Sequence, residues 1–155
     1  MSEIEIHIDE DPESPREWNN LGTFWTFHPH YRSPDPDPDP DYDLSDCIYL
    51  PVFIYDHSGV AYSTTPFHCP WDSGWVGFIF IPKAKVREEF GWKLITAARR
   101  SKIEQYLRDE VETYSKYASG EVYGFVIPET GDSCWGFYSR EEAYEAAKEL
   151  ETCQI

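Results

Sequence analysis

The residues best suited to chemistry are Cys134, in Asp132-Ser133-Cys134-Trp135-Gly136, Cys69, in His68-Cys69-Pro70-Trp71-Asp72, and His57. A thiolate beside an imidazole that a carboxylate orients is a nucleophile, so either cysteine with His57 would make a small cysteine-dependent enzyme. Their order along the chain matches no hydrolase pattern, and a cysteine among aromatics also reads as a small buried hydrophobe. Metal binding is the next candidate: His28 and His30 straddle Pro29, and Cys47, His57, His68 and Cys69 add donors. No C-x-x-C or H-x-x-x-H spacing joins them, and scattered histidines serve equally as surface or hydrogen-bonded residues, so no metal is expected. The D-x-D-x-D run from Asp35 starts like an EF-hand, but Pro40 stands at the sixth position, where glycine is required. Asp46 stands at the twelfth in place of glutamate, and the calcium reading fails. Neither a phosphate-binding loop nor a dinucleotide fingerprint is present, and no cofactor is expected.

Charge is the stronger signal. Residues 1–46 hold 13 acids against two bases, a net −11; the other 109 residues hold 16 acids and 11 bases, −5 of the chain's −16. Such a surface repels nucleic acid and anionic membranes and attracts basic proteins. The bases Lys83, Lys85, Arg87, Lys93, Arg99, Arg100 and Lys102 cluster in the middle of the chain. They are expected to pair with the N-terminal acids rather than to form a nucleic-acid site.

The elements that must position these residues follow from pattern. Glu3–Asp9 alternates polar and apolar as a strand does, and Leu21–Phe27 is a second extended piece. Ser33–Asp46 is an Asp-Pro insert whose prolines exclude helix and central strand, leaving a fairly stiff, solvated spacer or loop. Its alternate residues rise ~6.2 Å in polyproline II, comparable to phosphate spacing, although the threefold turn points successive acids in different directions. Ile48–Tyr55 and Gly59–Thr64 read as a hairpin, Gly77–Ile81 as a further strand, and Lys83–Phe90 as a helix closed by Gly91. Ile103, Leu107, Val111, Tyr114 and Ala118 recur at helical spacing from about Thr96 to Ala118. Val122–Pro128 and Ser133–Tyr138 form a second hairpin, and Ser139 with Glu142 opens a last helix in capping-box register. The expectation is one α+β domain over residues 1–155, a mostly antiparallel sheet packed by about three helices. Within it lie an acidic, aromatic segment (1–32), an Asp-Pro loop (33–46) and a core (47–155).

No stretch of ~18 apolar residues is present, so no membrane span is expected. The opening MSEIEIHIDED lacks the basic and apolar runs of a secretory signal, so the four cysteines are expected to be free thiols inside a cell. The loop STTPFHCPWDSGWVG (63–77) combines hydroxyls with Trp71 and Trp75. It reads either as an aromatic anchor for a partner or as a packed Ω-loop.

Three stretches, DEDPESPREWNNLGT (9–23), YDHSGVAYSTTPFHCPWDSGWVGFIF (55–80) and DSCWGFYS (132–139), resemble a family of small uncharacterised proteins of phages, archaeal viruses and plasmids. Its members read like SPREWDNLGT, LYDHSG with STTPF-CPWDSG-VG, and DSCWGFYG; Asn19 stands here for Asp, and Ser139 for Gly. The resemblance implies an accessory protein of a mobile element acting in the host cytoplasm, and it implies no known reaction. Joined to the charge, it points to an inhibitor of a host nucleic-acid-processing defence complex, of anti-restriction or anti-CRISPR type. Such an inhibitor would occupy a basic DNA-binding surface by imitating DNA charge and would not bind nucleic acid itself. The expected contact residues are Asp9, Glu10, Asp11, Glu13, Asp35, Asp37, Asp39, Asp41 and Asp43, with Trp71, Asp72 and Trp75 from the aromatic loop. Two alternatives stand beside this: the cysteine enzyme of Cys134 or Cys69 with His57, and a non-electrostatic binding module built on the Trp-rich loop 66–75.

Overall fold

Among the described residues, the alternating and helical patterns of the sequence become seven strands and three α-helices. They are β1 (Glu5–Ile8), β2 (Thr23–Thr26), β3 (Cys47–Asp56), β4 (Val60–Ser63), β5 (Ser73–Pro82), α1 (Lys83–Phe90), α2 (Ala97–Ala118), β6 (Tyr123–Ile127), β7 (Asp132–Phe137) and α3 (Arg140–Cys153). The computed structural model describes residues 3–28, 31–38, 41–57, 59–68 and 71–153. All strand pairs are antiparallel, in two sheets of order β1-β6-β7 and β2-β5-β3-β4, so the α+β class holds. The chain divides into two compact units, Arg16–Ser115 and Met1–Pro15 with Lys116–Ile155. No helix among the described residues is long and apolar enough to cross a membrane.

In the larger unit, β3 alternates strictly: Ile48, Leu50, Val52 and Ile54 are buried, and Tyr49, Pro51, Phe53 and Tyr55 face the other way. Period two therefore defines an inner and an outer face of this sheet. The inner face packs against α2, whose Ile103, Leu107 and Val111 are buried in one stripe, as their spacing predicts. Tyr114 of the same helix lies 5.3 Å from Phe24 and 5.1 Å from Tyr62, and the Ser115 hydroxyl accepts the Tyr62 amide at 2.8 Å. Burial of each such aliphatic side chain stabilises the fold by ~1.5–3 kcal/mol. Gly91 closes α1 in the left-handed region at φ 67°, where a side chain would be strained.

The smaller unit is a three-stranded sheet carrying α3. Phe125, Ile127 and Ala147 are buried in it, with Ile4, Ile6, Phe137 and Leu150 packed around them. The Ser139 hydroxyl accepts the Glu142 amide at 3.1 Å, which is one half of the predicted capping box.

Candidate functional site

The turn regions at one end of the larger sheet bring together residues more than 40 positions apart. The Asp56 amide donates to the Asp72 carbonyl at 2.8 Å, which fastens the end of β3 to the segment entering β5. His57, next along the chain, sets its Nδ1 3.1 Å from Asp72 Oδ2. Tyr31 donates its hydroxyl to Asp56 Oδ2 at 2.7 Å. That hydrogen bond, then burial and the Asp56 charge, pushes the Tyr31 phenol above its usual 10. Between these groups lies a cleft of about 320 Å³, walled by Tyr31, His28, Trp71 and Trp75 and bearing Asp56 and Asp72. Trp71 is 90% exposed, so its indole contributes nothing to the core. An exposed indole beside two carboxylates is a feature that folding does not require.

Trp75 reaches this cleft because of a bulge. Gly77 pairs with Val52 on the inner-facing register, so an unbroken strand would turn residue 75 inward as well. The register shifts at Val52/Phe53, Trp75 pairs with the outer-facing Phe53, and Val76 becomes the extra, buried residue. The loop expected through residue 75 thus ends earlier, with β5 beginning at Ser73, and Trp75 stands on a strand. From there a ladder of rings crosses the outer face: Trp75 to Phe27 at 4.8 Å and to Phe78 at 5.3 Å, Phe27 to Trp25 at 5.9 Å, and Phe78 to Tyr49 at 5.4 Å. Phe27, Tyr49 and Trp75 are each more than two-fifths exposed. Gly77 allows β2 to lie this close, because a Cβ there would collide with the Trp25 carbonyl.

The acids of the N-terminal segment have divided fates. Asp35, expected as a contact residue, is a structural anion: its carboxylate takes the Arg16 guanidinium at 2.6 Å and the Phe24 amide at 2.7 Å. Arg16 also donates to Glu110 at 3.0 Å and to the Gly22 carbonyl at 2.7 Å, while Glu110 accepts the Leu21 and Gly22 amides. The three charged side chains are 4%, 12% and 14% exposed. Burial is the largest influence on Arg16 and opposes its charge, but Asp35 and Glu110 outweigh it and its pKa is raised. Sequence reasoning missed this hub, and the only signal was a lone arginine among acids.

The Asp-Pro segment touches the larger sheet at two described points. Ser33 donates to the Phe24 carbonyl at 3.0 Å, and Tyr42 packs on Phe80 at 5.2 Å, so the sheet holds the segment at Ser33 and again at Tyr42. Asp37, Asp41 and Asp43 are exposed, and Asp39 lies outside the described residues. The Ser45 amide and hydroxyl, each at 2.8 Å, draw the Asp43 carboxyl below its ordinary range. Asp9, Glu10, Asp11 and Glu13 belong to the smaller unit; Asp9 accepts the Asp11 amide at 3.1 Å, and residues 10, 11 and 13 are exposed. Among the described residues no ion pair joins these acids to the middle bases, contrary to expectation. Arg100 pairs with Glu104 on its own helix, Lys85 donates to the Leu21 carbonyl, and Arg99 lies over Trp92.

The cysteine readings fare unevenly. Cys134 is exposed on β7 in the smaller unit, whereas His57 belongs to the larger one. Cys69, like His30, lies outside the described residues; His57 does gain the orienting carboxylate, Asp72, that such chemistry needs. Among the described residues no group of three or more histidine, cysteine or acidic side chains could hold a metal.

No family model, curated protein or solved structure matches this chain.

Proposed function

We propose that this protein is a mobile-element inhibitor that covers the basic, DNA-binding surface of a host nucleic-acid-processing defence complex in the host cytoplasm. The observation that carries this reading is the outer face of the β2-β5-β3-β4 sheet and the cleft it leads to, where exposed rings stand with the carboxylates of Asp56 and Asp72. Aromatic anchors supply buried area, and surrounding acids match a surface of lysines and arginines built for phosphates. The contact acids are Asp37, Asp41, Asp43 and Asp72, with Asp9, Glu10, Asp11 and Glu13 available on the smaller unit; Asp35 is withdrawn from the set. Exposed pairs are worth little singly, so the acids set on-rate and salt dependence while the rings slow dissociation.

The test is competition. The tagged chain, incubated with host lysate, is to retain a DNA-binding complex at low salt and release it to added duplex DNA, and to inhibit that complex's cleavage of DNA. The triple variant Asp37→Asn, Asp41→Asn, Asp43→Asn is to bind more slowly and with a shallower salt dependence. A partner that persists through high salt and ignores duplex DNA would overturn the reading.

The His57–Asp72 pair favours a second reading, a cysteine-dependent reaction at Cys69. Alkylation at neutral pH should then select Cys69 over Cys134 and lose that selectivity in His57→Ala. Equal labelling of both thiols removes this reading.

A further inference from the structure

We infer that the cleft between Tyr31, Trp71 and Trp75 is a receptor for a single arginine side chain presented by the partner. This deepens the proposed function, since it rests on a basic partner and specifies how one of its residues is held. Three observations converge on a planar cation. The lining includes the rings of His28, Tyr31, Trp71 and Trp75, and indole is the ring that attracts a cation most strongly. The lining carries two carboxylates, Asp56 and Asp72, beside the polar groups of His28, Tyr31 and Ser73, and among the described residues no lysine or arginine lines it. Asp56 uses Oδ2 for Tyr31, and among the described residues its Oδ1 has no partner, so an acceptor remains for a donor from outside.

Size narrows the class further. At about 320 Å³ the cleft lies at the lower limit of small-molecule sites, roughly 300–1,000 Å³, and suits one side chain better than a nucleotide or a folded peptide. Arginine fits better than lysine, because its guanidinium is flat enough to stack on an indole and carries its donors in a fork that matches carboxylates. Asp72 is held by His57 on one side and its backbone carbonyl by Asp56 on the other, so the site is organised before a ligand arrives. A neutral sugar is the competing occupant of any cleft of rings and acids, and the charge of the walls argues against it.

The test uses the full chain and a short blocked peptide with one arginine, beside the same peptide with lysine or with citrulline, which keeps the shape and removes the charge. The indole signals of Trp71 and Trp75 are followed by NMR and assigned through Trp71→Phe and Trp75→Phe. The arginine peptide should shift both signals saturably, lysine should bind several-fold more weakly, and citrulline should leave them in place. Asp56→Asn with Asp72→Asn should weaken the arginine peptide at least tenfold, with the circular dichroism spectrum of the fold unchanged. Trp71→Ala, at a side chain that is 90% exposed, should weaken it roughly fivefold to thirtyfold. Equal shifts by citrulline, shifts by a monosaccharide and not by arginine, or no shift at all would each overturn the inference. The two proposals can fail separately. If the arginine peptide binds but no DNA-competed complex is captured, the cleft stands and the inhibitor reading falls; if the double variant captures the complex as well as the parent does, the cleft falls alone.

Discussion

Two sets of carboxylates in the larger unit differ in what they face. Asp35 and Glu110 close around Arg16, almost out of solvent, and between them accept three backbone amides. Asp56 and Asp72 line an open cleft beside an indole that is 90% exposed, and the basic side chain next to Asp72 is an exposed histidine, His57. The first set is withdrawn from solvent by the fold, and the second lines a cleft that is open to it. A charge total therefore overstates the acids available to a partner, and the difference lies in burial and partners that composition does not record.

The comparison breaks most easily at Arg16. Arg16→Met would leave two carboxylates facing each other in a nearly dry site, which should cost ~3–5 kcal/mol in urea unfolding. Arg16→Lys should recover only part of that, because one ammonium cannot reproduce the fork that spans Asp35, Glu110 and the Gly22 carbonyl. Asp72→Asn, by contrast, should change stability by no more than about 0.5 kcal/mol. If Arg16→Met and Asp72→Asn prove equally mild, the division between structural and available acids is wrong.

Next in size is Gly77→Ala. A methyl there meets the Trp25 carbonyl and the Thr26 Cα, so β2 must move outward, at an expected cost of ~1–3 kcal/mol. Because β2 carries Trp25 and leads into Phe27, the same displacement should weaken partner binding, unlike Arg16→Lys, which acts on the opposite face. Stability loss with binding untouched would show that the outer rings are bystanders.

Most of the fold could be read from the chain, and most of the site could not. Period two in Ile48–Tyr55 and the stripe Ile103, Leu107, Val111 announce their elements because each repeats a local geometry many times. Ser139 and Gly91 mark helix ends by chemistry confined to one turn. The Arg16–Glu110 contact joins residues 94 positions apart and has no period, so nothing local records it. The bulge at Val52/Phe53 is a single inserted residue, yet it decides which way Trp75 points. Alternation likewise sorts Tyr49 and Phe53 from Ile48 and Val52 without saying which set meets α2. Helix and sheet positions were legible from repetition; the cleft arises from single events.

Trp71→Ala sharpens the comparison from the side of the cleft. An indole this exposed should cost nothing measurable in unfolding, while the loss of a cation–π partner should weaken binding by about 1–2 kcal/mol, roughly fivefold to thirtyfold in Kd. Equal effects on stability and binding would mean that Trp71 packs in solution as core residues do.

The smallest effect is a titration, and it reports on Asp56 directly. The Tyr31 phenol is held above 10 by its hydrogen bond to Asp56, by burial and by the Asp56 charge. With the folded pKa raised above the unfolded one, this contribution to stability is fully present below pH 10 and is lost as pH rises through the folded value. Tyr42, pushed up to about 12 mainly by its hydrogen bond with Cys47, also titrates late, so Tyr31 must be read as the difference in phenolate absorbance between the parent and Tyr31→Phe. Asp56→Asn should return that difference towards 10 by removing the charge that disfavours phenolate. A guanidinium in the cleft should act in the same direction, since it offsets that charge while arginine itself stays protonated. If the arginine peptide lowers the Tyr31 titration in the parent and does nothing to it in Asp56→Asn, the carboxylate that Tyr31 touches is the one that meets the cation. If the two proteins respond alike, the cation sits elsewhere and Asp56 joins Asp35 among the acids of the fold.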